Sequence, residues 1–348
     1  MKKRTLYFDV LNVAACLAVI SLHHNSIYFT YSNSLTWKTA LIVQVVAFWC
    51  VPVFLMLTGA NLMNYREKYD TKTFLKKRFS RVVIPFFAWS IIVLAWKVAT
   101  GQYTLETGNI QEVITVLLNN KMQDTYWYFP PLISFYLVMP VLSWLTEAKH
   151  RPTLRYVILA MFFLQSTIPP LASLVGISWN SDFGLAFNHS YIIFIFLGYY
   201  LSTCDLDRKA RYWLYAGGVA GTVIRFASIL QLSLRNGAKT DPFSSYGYFP
   251  SVMLAVAVFV WGKQVDWERV LAKIHITPQR VAKFSSYSLG IYLTHLFVTY
   301  YELEFLGLFG ITKANIFWRT IGILVTYLVT LALVALLKKI PGVRRIVP

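Results

Sequence analysis

The sequence predicts an all-α polytopic membrane protein with ten transmembrane helices, both termini cytoplasmic, and one membrane domain over residues 1–348 without a soluble appendage. Three observations carry this. First, 57% of the residues are hydrophobic and only 14% are charged, where a soluble globular chain carries about 25% charged residues. Second, ten apolar segments can span as helices, at roughly 7–24, 40–63, 82–100, 127–146, 155–175, 189–203, 212–232, 248–262, 284–301 and 315–337. Third, with the N-terminus inside and the loops alternating, 25 of the 33 Lys and Arg fall on the cytoplasmic side. The other eight are Lys38, Lys97, Lys121, Arg225, Arg235, Lys239, Lys313 and Arg319. That asymmetry follows the positive-inside rule. A net charge of +18 would suggest nucleic acid in a soluble chain. Here the basic residues lie between apolar segments, so the charge reports topology, and the bilayer rather than nucleic acid is the expected partner.

The first span opens after Met1-Lys2-Lys3-Arg4 and resembles a signal peptide in outline, but His23-His24-Asn25 stand where a small-residue cleavage site would be needed. It reads as a retained helix. Asp9 stands near its start and the pair His23 and His24 at its end. The 14-residue separation of Asp9 from His23 is roughly 21 Å along a helix axis, within a hydrocarbon core of about 30 Å. A proton-exchanging side chain is thereby held at membrane depth, where polar groups are costly and usually functional. Adjacent helical residues point about 100° apart, so only one of the pair can face a given cavity well. A neutral imidazole there can act as general base on a hydroxyl or accept an acyl group itself.

The second span carries Val51-Pro52-Val53-Phe54-Leu55-Met56-Leu57-Thr58-Gly59, and the loop after it is basic, with Lys72, Lys76, Lys77, Arg78 and Arg81 ahead of Pro85. Such a loop satisfies topology alone. It also suits a phosphate clamp, with Arg78 and Arg81 at i and i+3 on one helix face, and coenzyme A, with three phosphates, is a fitting ligand. The outer loop at about 101–126 is too short and irregular for a domain. Tyr126-Trp127-Tyr128-Phe129 opens the fourth span; aromatics there anchor a helix at the interface or offer Trp127 and Tyr128 as a stacking platform for a sugar. On the ninth span Ser288, Tyr292 and His295 share one face at i, i+4 and i+7, a polar stripe expected to face the bundle interior or a cavity. Arg225 and Arg319 also need interior partners, for which Glu302, Glu304 or a bound anion are candidates. Cys16, Cys50 and Cys204 have no metal-ligand spacing and read as free thiols, so no metal site is expected.

These residues resemble the acyltransferase-3 family of integral membrane acyltransferases. The likeness rests on Asp9-x-x-Asn12 followed by His23; on Pro52-x-Phe54-x-x-x-Thr58-Gly59 leading to Lys77-Arg78-x-x-Arg81-x-x-x-Pro85; on Trp127-Tyr128-Phe129 and Phe135-Tyr136-Leu137-Val138-Met139-Pro140; on Phe196-Leu197-Gly198-Tyr199-Tyr200; and on Ser285 with Ser288-Leu289-Gly290-Ile291-Tyr292-Leu293-Thr294-His295. Asn12 stands where the family often has Arg, and Thr58 where it usually has Ser. The resemblance implies a ten-helix core in a bacterial cytoplasmic membrane, with no permanently bound cofactor. It implies transfer of an acyl group, often acetyl, from cytoplasmic acyl-CoA to a hydroxyl of a surface polysaccharide or a lipid-linked glycan precursor. It maps catalysis onto His23 rather than His24, and donor binding onto Arg78 and Arg81 with Lys77. Asp9 is taken with His23 as catalytic; Trp127, Tyr128, Ser288, Tyr292, His295, His24 and Arg225 are taken as lining the acceptor cavity. The alternative is an exporter of a lipid-linked or polymeric sugar, but no internal repeat of the kind transporters often show is visible.

Overall fold

The computed structural model describes residues 5–180, 182–185 and 191–347, and every regular element among them is helical. In chain order the α-helices are α1 (Leu6–His24), α2 (Leu35–Val46), α3 (Cys50–Leu62), α4 (Thr71–Arg78), α5 (Ile84–Ala99), α6 (Ile110–Leu118), α7 (Phe129–Leu142), α8 (Arg151–Met161), α9 (Ile168–Leu174), α10 (Ile192–Thr203), α11 (Arg208–Asn236), α12 (Phe249–Gln264), α13 (Trp267–Lys273), α14 (Pro278–Ser285), α15 (Ser288–Gly307), α16 (Ile316–Arg319) and α17 (Ile321–Leu337). Among the described residues, six helical runs are long and apolar enough to cross a membrane: Leu6–His24, Leu35–Glu67, Thr71–Ala99, Asp124–Thr146, Ala148–Leu174 and Arg208–Asn236. Three shorter apolar helices, α10, α12 and α17, coincide with further expected spans. The ninth expected span falls on α15, which is long enough but diluted by the polar residues that drew notice to it. The start of the sixth, 189–190, lies outside the described residues.

Several expected spans are not plain α-helices, and proline explains where they depart. The second is broken at 47–49 between α2 and α3, one turn before Pro52. The third is reached through a π turn, Phe79–Val83, just ahead of Pro85, and the fifth contains another, Phe162–Thr167, ahead of Pro169 and Pro170. A proline has no N–H for the carbonyl four residues back and its ring crowds that carbonyl. A break or a widened turn relieves the crowding. The outer loop, expected to be irregular, contains α6, whose N-cap Asn109 accepts from the Glu112 N–H.

The chain divides into two compact units, residues 1–64 with 145–331 and residues 65–144 with 332–348. In the first, α3 and α10 meet backbone to backbone. A Cβ on Gly59 would lie 2.0 Å from the Ile195 carbonyl oxygen, and one on Gly198 would lie 1.9 Å from that of Met56. The two glycines thus let each helix sink into the other, the small-residue packing typical of membrane helices. Gly218 and Gly221 do the same for α11 against Ala257 and Pro250 of α12. The opening helix α1 packs on α3, α12, α14 and α15, so its polar end groups face protein. In the second unit an aromatic core joins the elements: Tyr65 stacks on Phe74 at 4.3 Å, Phe86 on Phe129 at 4.7 Å, and Tyr126 meets Phe129 edge-on at 5.5 Å.

Candidate functional site

The last turn of α1 splits its two histidines as the 100° step between neighbours requires. His24 is fully buried. It stacks on Trp318 at 3.9 Å, its Nδ1 lies 2.9 Å from the Trp318 carbonyl oxygen, and its Nε2 lies 2.9 Å from Thr326 Oγ1. Thr326 in turn makes a close hydrogen bond to Glu302. Both ring nitrogens of His24 are therefore occupied, which leaves none for a substrate.

His23 is half-buried and, among the described residues, makes no hydrogen bond or ion pair. Its ring lies 5.1 Å from that of His295, which in turn lies 5.8 Å from the Tyr292 ring. His295 Nδ1 sits 3.1 Å from the Ile291 carbonyl oxygen and 2.8 Å from that of Tyr292. Only an Nδ1–H can satisfy two acceptors, so the lone pair is on Nε2. That Nε2 is buried and without a hydrogen-bond partner. Ser288, also buried, begins the same helix, and its Oγ is likewise unpartnered. Its carbonyl receives Cys16 Sγ at 3.9 Å, which ties α15 to α1. The structure thus gathers His23, His295 and Tyr292. Asp9, buried at the start of the same unbroken helix, stays roughly 21 Å away along the axis, and so it takes no place beside the imidazole.

Arg225 and Arg319 find partners other than the acids expected. Arg225 pairs with Asp241 at 2.9 Å, both side chains almost wholly buried. Tyr28 donates its hydroxyl to the same carboxylate oxygen at 3.0 Å, and the guanidinium carbon lies 3.4 Å over the Phe48 ring. Tyr246 stacks on the same Phe48 at 4.0 Å. Arg319 donates to Thr39 Oγ1, Asn25 Oδ1 and the Thr36 carbonyl. Glu302 belongs to the His24 chain. Sequence reasoning missed Asp241, and a signal was there: it is the only acid between Asp207 and Asp266, in a loop rather than at helical spacing.

The second unit holds the remaining candidates. Arg78 lies half-buried, 5.9 Å from the ring centroids of both Phe74 and Tyr136, with its Nε buried and unpartnered. Lys77 lies 4.0 Å over the Tyr69 ring. Arg81 is exposed. The π turn Phe79–Val83 that follows Arg78 is wider than an α-helical turn and rotates less per residue, so the two arginines do not share the single α-helical face their spacing suggests. Tyr128 is buried and Trp127 half-buried in a 3₁₀ turn, Asp124–Tyr128, beside the Tyr126–Phe129 aromatic core.

Comparison with curated proteins and with solved structures found no match. Comparison with protein families found one whose description is an acyltransferase domain, over residues 5–335. That match takes in the histidine at the end of α1, the basic segment before α5 and the polar stripe of α15, and by extending over nearly the whole chain it establishes that this membrane protein belongs to the acyltransferase-3 family.

Proposed function

We propose that the protein is a multi-pass O-acyltransferase of the cell membrane, crossing it ten times, that moves an acyl group, most simply acetyl, from acyl-CoA to a hydroxyl of a surface glycan or lipid-linked glycan precursor. The observation that carries the reading is the buried lone pair on His295 Nε2 next to the unoccupied ring of His23. In the proposed step His23 takes the proton of the acceptor hydroxyl as its oxygen attacks the thioester carbonyl. The carbon–sulfur bond breaks, the ester forms, and the thiolate recovers a proton as free CoA. His295, held in one tautomer by two carbonyls, stabilises the imidazolium that His23 becomes. A base oriented by a second fixed group is a recurring catalytic arrangement. Arg78, Arg81 and Lys77 supply the charge for the CoA phosphates; Arg suits these bidentately.

The test is acetyl transfer from labelled acetyl-CoA by protein reconstituted in liposomes, paired with mass analysis of cell-surface glycans. His23→Ala is expected to lower transfer by 10²-fold or more at equal protein level, and His295→Gln to lower kcat with little change in the KM for acetyl-CoA. Unchanged transfer in His23→Ala would refute the assignment. A wild-type protein that does not bind acetyl-CoA would point to the exporter instead.

A further inference from the structure

Four helix ends in the first unit are stapled at one level. Arg151 at the start of α8 donates to the Thr203 carbonyl at the end of α10, at 3.2 Å. Lys263, one residue from the end of α12, donates to the carbonyls of Leu201 and Cys204 at 3.1 and 2.7 Å. Arg211 in the first turn of α11 makes a close bond to Gln264. Below this collar a cleft of about 350 Å³ opens between α8, α10, α11 and α12. Its walls are apolar, built from side chains such as Ile158, Phe162, Ile193, Leu214 and Val256, and Arg155 is the one charged residue among them. From Arg155 on α8 to Phe162, the first residue of the π turn that follows it, the cleft descends seven residues, about 10 Å, roughly a third of a hydrocarbon core. Its mouth carries Tyr200 and Trp213. Trp213 also lines an adjoining shallow depression formed by Arg208, Lys209 and Tyr212.

The cations here divide by use. Arg151, Arg211 and Lys263 are spent on stapling helix ends. Arg155 and Lys209 make no hydrogen bond or ion pair among the described residues, and Arg208 reaches only the Tyr212 hydroxyl at 3.3 Å. The nearby acids are engaged: Asp207 caps α11 by accepting from the Ala210 N–H, and Asp205 lies 3.6 Å from Lys263. The occupant that fits must therefore have two ends, a hydrocarbon chain for the cleft and an anion for its rim. A free phosphate would leave the apolar walls unfilled, and a zwitterionic lipid would bring its own cation to three that already lack a counter-charge.

We propose that this cleft is a binding site for one anionic phospholipid of the bilayer, an acyl chain lying between α8, α10, α11 and α12 and the phosphate resting on Arg155, Arg208 and Lys209. Basic pockets between membrane helices are suited to anionic headgroups.

The experiment is native mass spectrometry of the full chain in detergent, titrated with phosphatidylglycerol and phosphatidylcholine of identical chains. Wild type is expected to retain phosphatidylglycerol preferentially. At about fivefold per cation near the surface, the variant Arg155→Gln/Arg208→Gln/Lys209→Gln should lose on the order of 100-fold in that preference at low salt. A control variant with equal charge loss, Lys121→Gln/Lys239→Gln/Lys313→Gln, should keep it, and Val256→Phe, which narrows the cleft, should weaken retention of the bound lipid. No headgroup preference in wild type, survival of the preference in the triple variant, or equal loss in the control would each overturn the proposal.

Discussion

Replacing Asp241 with Asn should be among the most damaging single changes in the first unit, and the structure says by how much. Asp241 and Arg225 are 4% and 3% exposed, and one carboxylate oxygen accepts from both Arg225 at 2.9 Å and Tyr28 at 3.0 Å. The other oxygen accepts from the Phe243 N–H at 2.9 Å. An Asn amide has a single acceptor oxygen. If it keeps the Phe243 bond, its NH₂ faces two donors; if it flips, the loop loses its anchor. Either way the guanidinium, whose Nε and Nη1 are already unpartnered, is left as an uncompensated buried charge over Phe48. Breaking a buried pair from one side costs about 3–5 kcal/mol, whereas replacing both members with residues that pack well is often close to neutral. Asp241→Asn is therefore expected to lower unfolding free energy by about 3–5 kcal/mol, with Arg225→Met/Asp241→Asn recovering most of the loss. The assay is equilibrium unfolding in mixed detergent micelles, read as a double-mutant cycle. A single variant within about 1 kcal/mol of wild type, or effects that simply add, would refute the reasoning.

Two further outcomes follow from geometry elsewhere. Gly198→Ala should destabilise the first unit by at least the 1–3 kcal/mol typical of overpacking, because its new methyl would lie 1.9 Å from the Met56 carbonyl oxygen; a thermal-stability assay in detergent that finds the variant unchanged would contradict the interlocked α3 and α10. In the outer loop, Glu112 accepts from the backbone N–H groups of Thr107, Glu106 and Gly108 and from the Thr107 hydroxyl, and these bonds, that of Thr107 foremost, draw its carboxyl down to about 2. A depressed folded value means the ordering of 106–112 is complete above the ordinary Glu range and is lost as pH falls from there toward about 2. A carboxyl titration by NMR should find that low midpoint for Glu112, and Glu112→Gln should speed amide exchange at Thr107 and Gly108 at neutral pH; an ordinary midpoint near 4.3 would discount the loop geometry.

Much of this protein is legible along the chain because hydropathy, helix length and motif spacing are local. The apolar runs, the histidine pair closing α1 and the Ser288–Tyr292–His295 stripe need no partner to be recognised, and the ordered motifs are enough to suggest the family. Departures inside the spans are half-local. Pro52, Pro85 and Pro169 are plain in the sequence, but whether a proline breaks a helix, as at 47–49, or widens a turn, as at 79–83, depends on what the surrounding helices permit. That choice separated Arg78, half-buried against Phe74 and Tyr136, from exposed Arg81.

What the amino-acid order alone determined, then, is the helical membrane class, the family likeness and the short roster of side chains able to do chemistry. Tertiary structure decided which of them are available. It occupied both nitrogens of His24 while leaving His23 open, turned the lone pair of His295 onto Nε2, and gave Arg225 to Asp241 across a loop. The reason is that a buried polar group is satisfied by whatever lies nearest in space, and sequence separation carries almost no information about that distance.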